Sequence, residues 1–194
     1  MLIKDGVAKL FNDDTDSIDS INDTIIKNAL TNMVPDTAKM ILFSIELERI
    51  SSLNSDINGL EYDYQLEHIM PKKWETNWYN VDFAYNDNGQ IKYVENSSDK
   101  NFEYKEKRNG HIIYLGNMTL LKAKLNASIS NKNFEIKIEG SGNNKGYRVH
   151  SLLHITTDII GKYDAGDKIW DEIHIEKRND ELFKKIVELW PIQS

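Results

Sequence analysis

The sequence predicts an α+β fold that is mostly α-helical, with a strand–strand–helix unit embedded in a helical domain and an extra β-hairpin inserted into that unit. Three patterns favour this fold. Apolar and polar residues alternate over residues 62–67, a second β-prone run at 118–121 changes to helical spacing over 122–131, and a long amphipathic pattern begins at residue 167. With 194 residues, 40% of them hydrophobic, the chain is long enough to bury a core.

The chain begins with an acidic segment, residues 1–30, which we interpret as a helical lead-in or a junction with a preceding domain. Asp13 to Asp16 form a helix-start cluster, and isoleucines follow at helical spacing. A second helix is predicted to be capped by Asp36 or Thr37, with an apolar face between residues 40 and 47. We expect residues 31–194 to form the functional domain.

The strand–strand–helix unit is predicted to span residues 62–137. Its first strand alternates Tyr62, Tyr64 and Leu66 with polar residues, and Pro71 stops it soon after His68. This period places His68 at a strand end. The second half of the unit consists of a short strand that follows Asn117 and a helix that carries Asn126.

An insertion, residues 75–110, separates the two halves. Residues 81–94 are typical of a hairpin with an Asn- and Gly-rich turn, and residues 96–105 are predicted to form a loop. The C-terminal part, residues 150–190, is predicted to be helical. One helix covers 151–160, and a longer amphipathic helix runs from Asp167 to the residue before Pro191.

The composition excludes several classes of protein. The chain has no cysteine, so a disulfide framework and a structural zinc site with thiolate ligands are excluded. It has no signal-like N-terminus and no apolar run long enough for a membrane span, which predicts a cytoplasmic protein without a membrane partner. The net charge of −7 argues against nucleic-acid binding, but residues 120–150 carry six basic and two acidic side chains.

These motifs together resemble a known family. Glu67-His68-Ile-x-Pro is followed in order by Gly-Asn-x-Thr-Leu-Leu at 116–121, then by Asn126, Ser130-Asn131, Phe134 and Lys137. This ordered set resembles the HNH, or His-Me finger, nucleases, and most closely the nuclease domain at the C-terminal end of GmrSD-type (type IV) restriction endonucleases. The similarity covers roughly residues 36–190.

The resemblance implies a ββα-metal finger and a metal-dependent DNA endonuclease of a modification-dependent restriction or antiphage system. It also implies a nucleotide-hydrolysing partner domain or subunit that licenses cutting. The chain itself lacks a nucleotide-binding loop of the Gly-x-x-x-x-Gly-Lys-Ser/Thr kind.

We expect His68 to be the general base, because an imidazole can accept a proton near neutral pH. Asn117 is expected to support it by bonding the neighbouring backbone. Glu67 and Asn126 supply oxygen ligands for one divalent cation, with Mg²⁺ expected and Mn²⁺ as the alternative. The side chains expected to contact DNA phosphates are Asn131, Lys132 and Lys137.

Two other interpretations stay open. The chain could be a catalytically silent DNA-binding or regulatory module of the same fold, or a helical protein-interaction domain, which the net charge favours. His150 and His154 have the i, i+4 spacing of a zinc pair on a helix, although a structural pair is the expected interpretation. Solvated charge is the expectation for three cations, which are Lys72, Lys73 and Arg108.

Overall fold

The computed structural model describes residues 22–52, 60–78, 83–85, 91–93 and 102–191. The predicted helix-start cluster at residues 13–16 and the predicted hairpin turn at 86–89 lie outside these ranges. The described part is mostly helical with small antiparallel sheets, in agreement with the predicted α+β class.

The described part contains eight α-helices. They are α1 (Asp23–Leu30), α2 (Pro35–Ser52), α3 (Phe102–Ile112), α4 (Ala123–Ile129), α5 (Phe134–Glu139), α6 (Tyr147–His150), α7 (His154–Asp164) and α8 (Glu172–Leu189). The strands form three antiparallel pairs, which are β1 (Tyr64–His68) with β4 (Met118–Lys122), β2 (Phe83–Tyr85) with β3 (Ile91–Tyr93), and β5 (Gly140–Ser141) with β6 (Asn144–Lys145).

The first two helices belong to one packed unit. Asn22 caps α1 by accepting backbone N–H groups with its side chain, and α2 begins at Pro35, one residue earlier than the cap predicted at Asp36. Ile26 and Leu30 of α1 lie in the same apolar cluster as residues of α2 and α8. Among the described residues, α1 therefore packs with helices of the predicted functional domain.

The predicted strand–strand–helix unit is present. β1 and β4 are antiparallel with Tyr64 opposite Lys122 and His68 opposite Met118, and α4 packs against both strands. The inserted hairpin is confirmed by the pairing of β2 with β3. The loop predicted over 96–105 is wrong at its end, because α3 already begins at Phe102.

β4 is buried on both faces. Successive side chains of a strand point to opposite sides, and Leu120 belongs to the cluster with α1, α2 and α8, whereas Leu121 belongs to a second cluster with α4 and α5. The strand therefore joins the two halves of the core.

Two C-terminal helices begin later than predicted. α7 begins at His154, and α6 ends at His150, so the two histidines do not share a continuous helix and the zinc spacing does not apply. α8 begins at Glu172, because the carboxylate of Asp171 accepts the backbone N–H of His174 at 2.9 Å and caps the helix there. Within the described ranges, no helix combines the length and apolarity of a membrane span.

α8 also holds the turn before β4. The fully buried guanidinium of Arg178 donates hydrogen bonds to the carbonyls of Gly116 and Met118, at 2.8 and 2.6 Å. Burial lowers the pKa of Arg178 to about 10, so it stays charged at neutral pH. The carbonyl dipoles thus stabilise a cation that in turn fixes the start of β4.

Gly116 lies where this turn meets α8, and we predict that alanine is not tolerated there. An added Cβ would lie 2.9 Å from the backbone nitrogen of Asn179 and closer still to the carbonyl oxygen of Ile175. Because both atoms are helix backbone, Gly116→Ala should lower the free energy of unfolding by about 1–3 kcal/mol in urea denaturation.

The matched control is Gly161→Ala in α7, where a Cβ would meet nothing within 4 Å. This variant should keep the parent stability or gain up to about 1 kcal/mol from better helix propensity. Equal stability of the two variants would contradict the close approach of α8 to the turn.

Candidate active site

The end of β1 and the helix α4 line an open pocket with a volume of about 430 Å³. The pocket is lined by Gln65, Leu66, Glu67, His68, Pro71, Lys72, Asn126, Ala127, Ser130 and Asn131. It therefore brings together four of the seven residues predicted for the site, namely Glu67, His68, Asn126 and Asn131. The other three, Asn117, Lys132 and Lys137, do not line it.

Asn117 is fully buried and forms hydrogen bonds with the turn that follows β1. Its side-chain oxygen accepts the N–H of Met70 at 2.8 Å, and its amide nitrogen donates to the carbonyl of Met70 at 2.9 Å. Its own carbonyl accepts the N–H of Ile69 at 2.8 Å. The asparagine thus acts as a strand partner for the residues between His68 and Pro71, and it fixes the backbone next to the imidazole.

His68 is half-buried, and its ring has no hydrogen-bond partner among the described residues. Burial, reinforced by the positive charges of Lys72 and Lys137, lowers the pKa of His68 to about 4. The imidazole is therefore neutral at physiological pH. A neutral imidazole whose nitrogens have no hydrogen-bond partner among the described residues is able to accept a proton from a molecule bound in the pocket.

Asn126 lies on α4 and lines the same pocket as His68. Its amide nitrogen donates to the carbonyl of Leu66 at 3.2 Å, which ties α4 to β1. Within the described part of the chain, its amide oxygen Oδ1 accepts no hydrogen bond. That oxygen is a neutral donor atom of the kind that Mg²⁺ and Ca²⁺ accept as a ligand.

Glu67 is buried beside the pocket, and its carboxylate is shared. It forms an ion pair with the ammonium of Lys137 and accepts the hydroxyl of Tyr147 at 3.4 Å. Burial raises the pKa of Glu67, and the positive charge of Lys137 opposes this shift. Burial lowers the pKa of Lys137, and the negative charge of Glu67 opposes that shift. The attraction between the two opposite charges thus offsets part of the free energy that each loses on leaving water.

Two side chains at the pocket carry oxygen atoms of the kind that a divalent cation binds. Glu67 and Asn126 line the same pocket, and one carboxylate with one amide leaves most coordination positions to water and substrate oxygens, as Mg²⁺ prefers. The described residues contain no group of three or more His, Cys, Asp or Glu side chains that could hold a metal ion.

The structure corrects two predictions about cations. Lys137 has no exposed surface, so the predicted contact with a DNA phosphate does not fit its position. Arg108, expected to be solvated, is 3% exposed and pairs with Glu172 of α8. Lys72 and Lys73 are exposed, as expected.

The segment 120–150 exposes fewer unpaired positive charges than its composition indicates. Arg148 pairs with Glu139 and Asp164, and Lys122 pairs with Asp63. Together with the burial of Lys137, these contacts leave three exposed lysines that have no carboxylate partner among the described residues. They are Lys124, Lys132 and Lys145.

Three residues of the site were not among its predicted members. Lys72 lines the pocket, and Ser130 ends α4 with φ of 32°, a left-handed conformation that is uncommon for a residue other than glycine. Tyr147, remote in sequence, reaches Glu67. One signal for Lys137 was available, since it shares a face of α5 with the buried Phe134 and Ile138.

Comparison with known proteins identifies the family. The family model described as GmrSD restriction endonucleases, C-terminal domain, matches residues 19–185, which include the whole pocket. No curated protein and no solved structure matches the chain. The family match covers most of the sequence and agrees with the motif resemblance. The chain belongs to the family of GmrSD restriction endonuclease C-terminal domains.

Proposed function

We propose that this chain is a metal-dependent DNA endonuclease domain of the His-Me finger type, acting in a modification-dependent restriction or antiphage system. Membership of a restriction endonuclease family supports a nuclease and DNA as its substrate. The observation that carries the finer assignment is the neutral imidazole of His68, which lines the same pocket as Asn126.

His68 acts as the general base. As the oxygen of a water molecule bonds to phosphorus, a ring nitrogen of His68 takes the proton of that water, and the bond from phosphorus to the leaving oxygen breaks. The imidazolium then returns the proton to solvent. A pKa of about 4 makes the base weak but leaves all of it unprotonated at neutral pH.

Glu67 and Asn126 hold the cation, with Mg²⁺ expected and Mn²⁺ as the alternative. When bound, the ion supplies Lewis-acid stabilisation of negative charge on the phosphate and on the leaving oxygen. Asn126 is oriented for this role by its hydrogen bond to Leu66. Asn117 keeps the backbone beside His68 in place.

Asn131 and Lys132 contact phosphates that flank the scissile bond. The side chain of Asn77 donates to the carbonyl of Asn131 at 2.6 Å, and the indole of Trp78 donates to the carbonyl of Lys132 at 2.9 Å. These bonds fix the backbone after α4, and Lys132 is exposed. Contacts of this kind position DNA without reading its bases.

A nucleotide-hydrolysing partner domain or subunit licenses cutting, as the family resemblance implies. Target-specific cleavage should therefore require that partner together with its nucleotide. Full target-specific activity of this chain alone, in assays with and without the partner, would contradict this proposal.

His68→Ala is expected to lower the rate of plasmid cleavage in Mg²⁺ or Mn²⁺ by about 10²–10⁴-fold, because a positioned base is lost. A chelator should stop cleavage by the parent protein. His154→Ala is the matched control, since His154 lies at the start of α7, bonded to Glu46 and outside the pocket.

Parent-like cleavage by His68→Ala would remove His68 from the mechanism. A parent protein that binds DNA but does not cut it with either metal would instead identify the catalytically silent module.

Glu67→Gln and Asn126→Ala are expected to weaken Mn²⁺ binding by at least about tenfold in calorimetry, because each removes an oxygen ligand or its charge. Excess Mn²⁺ should partly restore cleavage to these variants. His68→Ala serves as the control and should bind Mn²⁺ like the parent. Unchanged affinity in both ligand variants would show that the cation binds elsewhere.

Lys132→Glu is expected to weaken DNA binding equally for all sequences and to flatten the plot of log affinity against log salt by about one unit. The exposed Lys184 of α8, a helix that does not line the pocket, provides the control variant Lys184→Glu. Equal slopes for the two variants in a salt titration would place the DNA away from Lys132.

A further inference from the structure

Three polar side chains meet at the end of β1, beside the pocket. Lys137 and Tyr147 have no exposed surface, and Glu67 is 6% exposed. The ammonium of Lys137 pairs with the carboxylate of Glu67 and also donates to the carbonyl of His68 at 2.7 Å. The hydroxyl of Tyr147 donates to the same carboxylate at 3.4 Å.

Core stability alone does not account for this cluster. Removing a charge from water costs free energy that a buried ion pair repays only in part, and an apolar side chain could anchor α5 without that cost. Its neighbours on α5, Phe134 and Ile138, already bury that face of the helix. The cluster is moreover joined directly to the two residues on which the proposed chemistry depends, Glu67 and His68.

The contacts of Lys137 fix the rotation of the strand end. In a strand, consecutive side chains point to opposite sides, so the direction of Glu67 determines that of His68. Lys137 holds the side chain of Glu67 and the main-chain carbonyl of His68 at the same time. A rotation of the strand end that moved the imidazole would therefore break one of these two contacts.

We propose that Lys137 is a positioning residue of the hydrolytic site, with Tyr147 as a second donor that holds the same carboxylate. Lys137 acts through Glu67 and the His68 carbonyl and never touches DNA. This inference rests on the proposed function of His68 as the base and adds the two residues that aim it.

The test compares three variants of the whole chain in steady-state cleavage of DNA. Lys137→Met keeps an unbranched side chain but removes the ammonium, and Tyr147→Phe removes one hydroxyl. We expect kcat to fall by about 10- to 100-fold in Lys137→Met and by less in Tyr147→Phe, with KM for DNA unchanged in both. A contact with phosphate would instead raise KM.

Glu46→Gln controls for loss of stability alone. Glu46 is a fully buried carboxylate that accepts the N–H groups of His154 and Ile155 at 2.8 and 2.9 Å, away from the pocket. This variant should lower the unfolding temperature and leave kcat unchanged. Parent-like kcat in a folded Lys137→Met, or a similar fall of kcat in Glu46→Gln, would overturn the inference.

The test stays decisive in two unfavourable cases. If Lys137→Met does not fold, Tyr147→Phe decides, because it preserves shape, and an unchanged kcat in it overturns the inference. If the parent does not cleave DNA, the proposed function fails, and the NMR signals of the His68 ring decide the positioning role. They should shift in the Lys137 and Tyr147 variants and not in Glu46→Gln, and unshifted signals overturn the inference.

Discussion

The rest of the site depends on the side-chain amide of Asn117. This amide accepts the N–H of Met70 and donates to the carbonyl of Met70, a residue 47 positions earlier in the sequence. These hydrogen bonds, together with the pairing of β1 and β4, set the position of His68. The chain between the two strands contributes as well, because the amide of Asn117 also donates to the carbonyl of Ile112 at 3.1 Å. Residues from the C-terminal part of the chain hold Asn117 in place. The indole of Trp170 donates to the amide oxygen of Asn117 at 3.2 Å, and Arg178 donates to the carbonyl of the adjoining Gly116. The geometry of the pocket is thus a property of the whole domain.

Local periodicity was enough to predict the elements that carry the site. Alternation placed His68 at the end of β1, and the change of period after residue 122 placed Asn126 on α4, because both patterns record a single buried face. Helix starts were less predictable, since the side chain of Asp171 decides where α8 begins. The burial of Lys137 and Arg108 was not predicted, because their partners lie 70 and 64 residues away and the default state of a cation is solvation.

The same tertiary pairing changes the electrostatic picture. A count of charges along the chain predicts a basic surface at residues 120–150, but three of the six cations there form ion pairs within the domain. The cations that remain near the pocket are few, and Lys72 at its edge and Lys132 after α4 are exposed. Under the proposed function, so few phosphate contacts would give weak, sequence-independent binding of DNA, and the proposed partner would select the target.

The proposed role of His68 requires a neutral imidazole at physiological pH, and an NMR pH titration of the histidine ring signals measures that protonation state. His68→Gln and His111→Gln assign the two signals. Burial lowers the pKa of His68, so its signal should move only near pH 4. For His111, burial also acts to lower the pKa, but its hydrogen bonds to Glu176 and to the carbonyl of Lys107 raise it overall, so His111 should take up its proton first as the pH falls. A His68 signal that titrates at pH 6.5 or above would contradict the proposed role of His68, because its imidazole would then be solvated or paired rather than held neutral in the pocket.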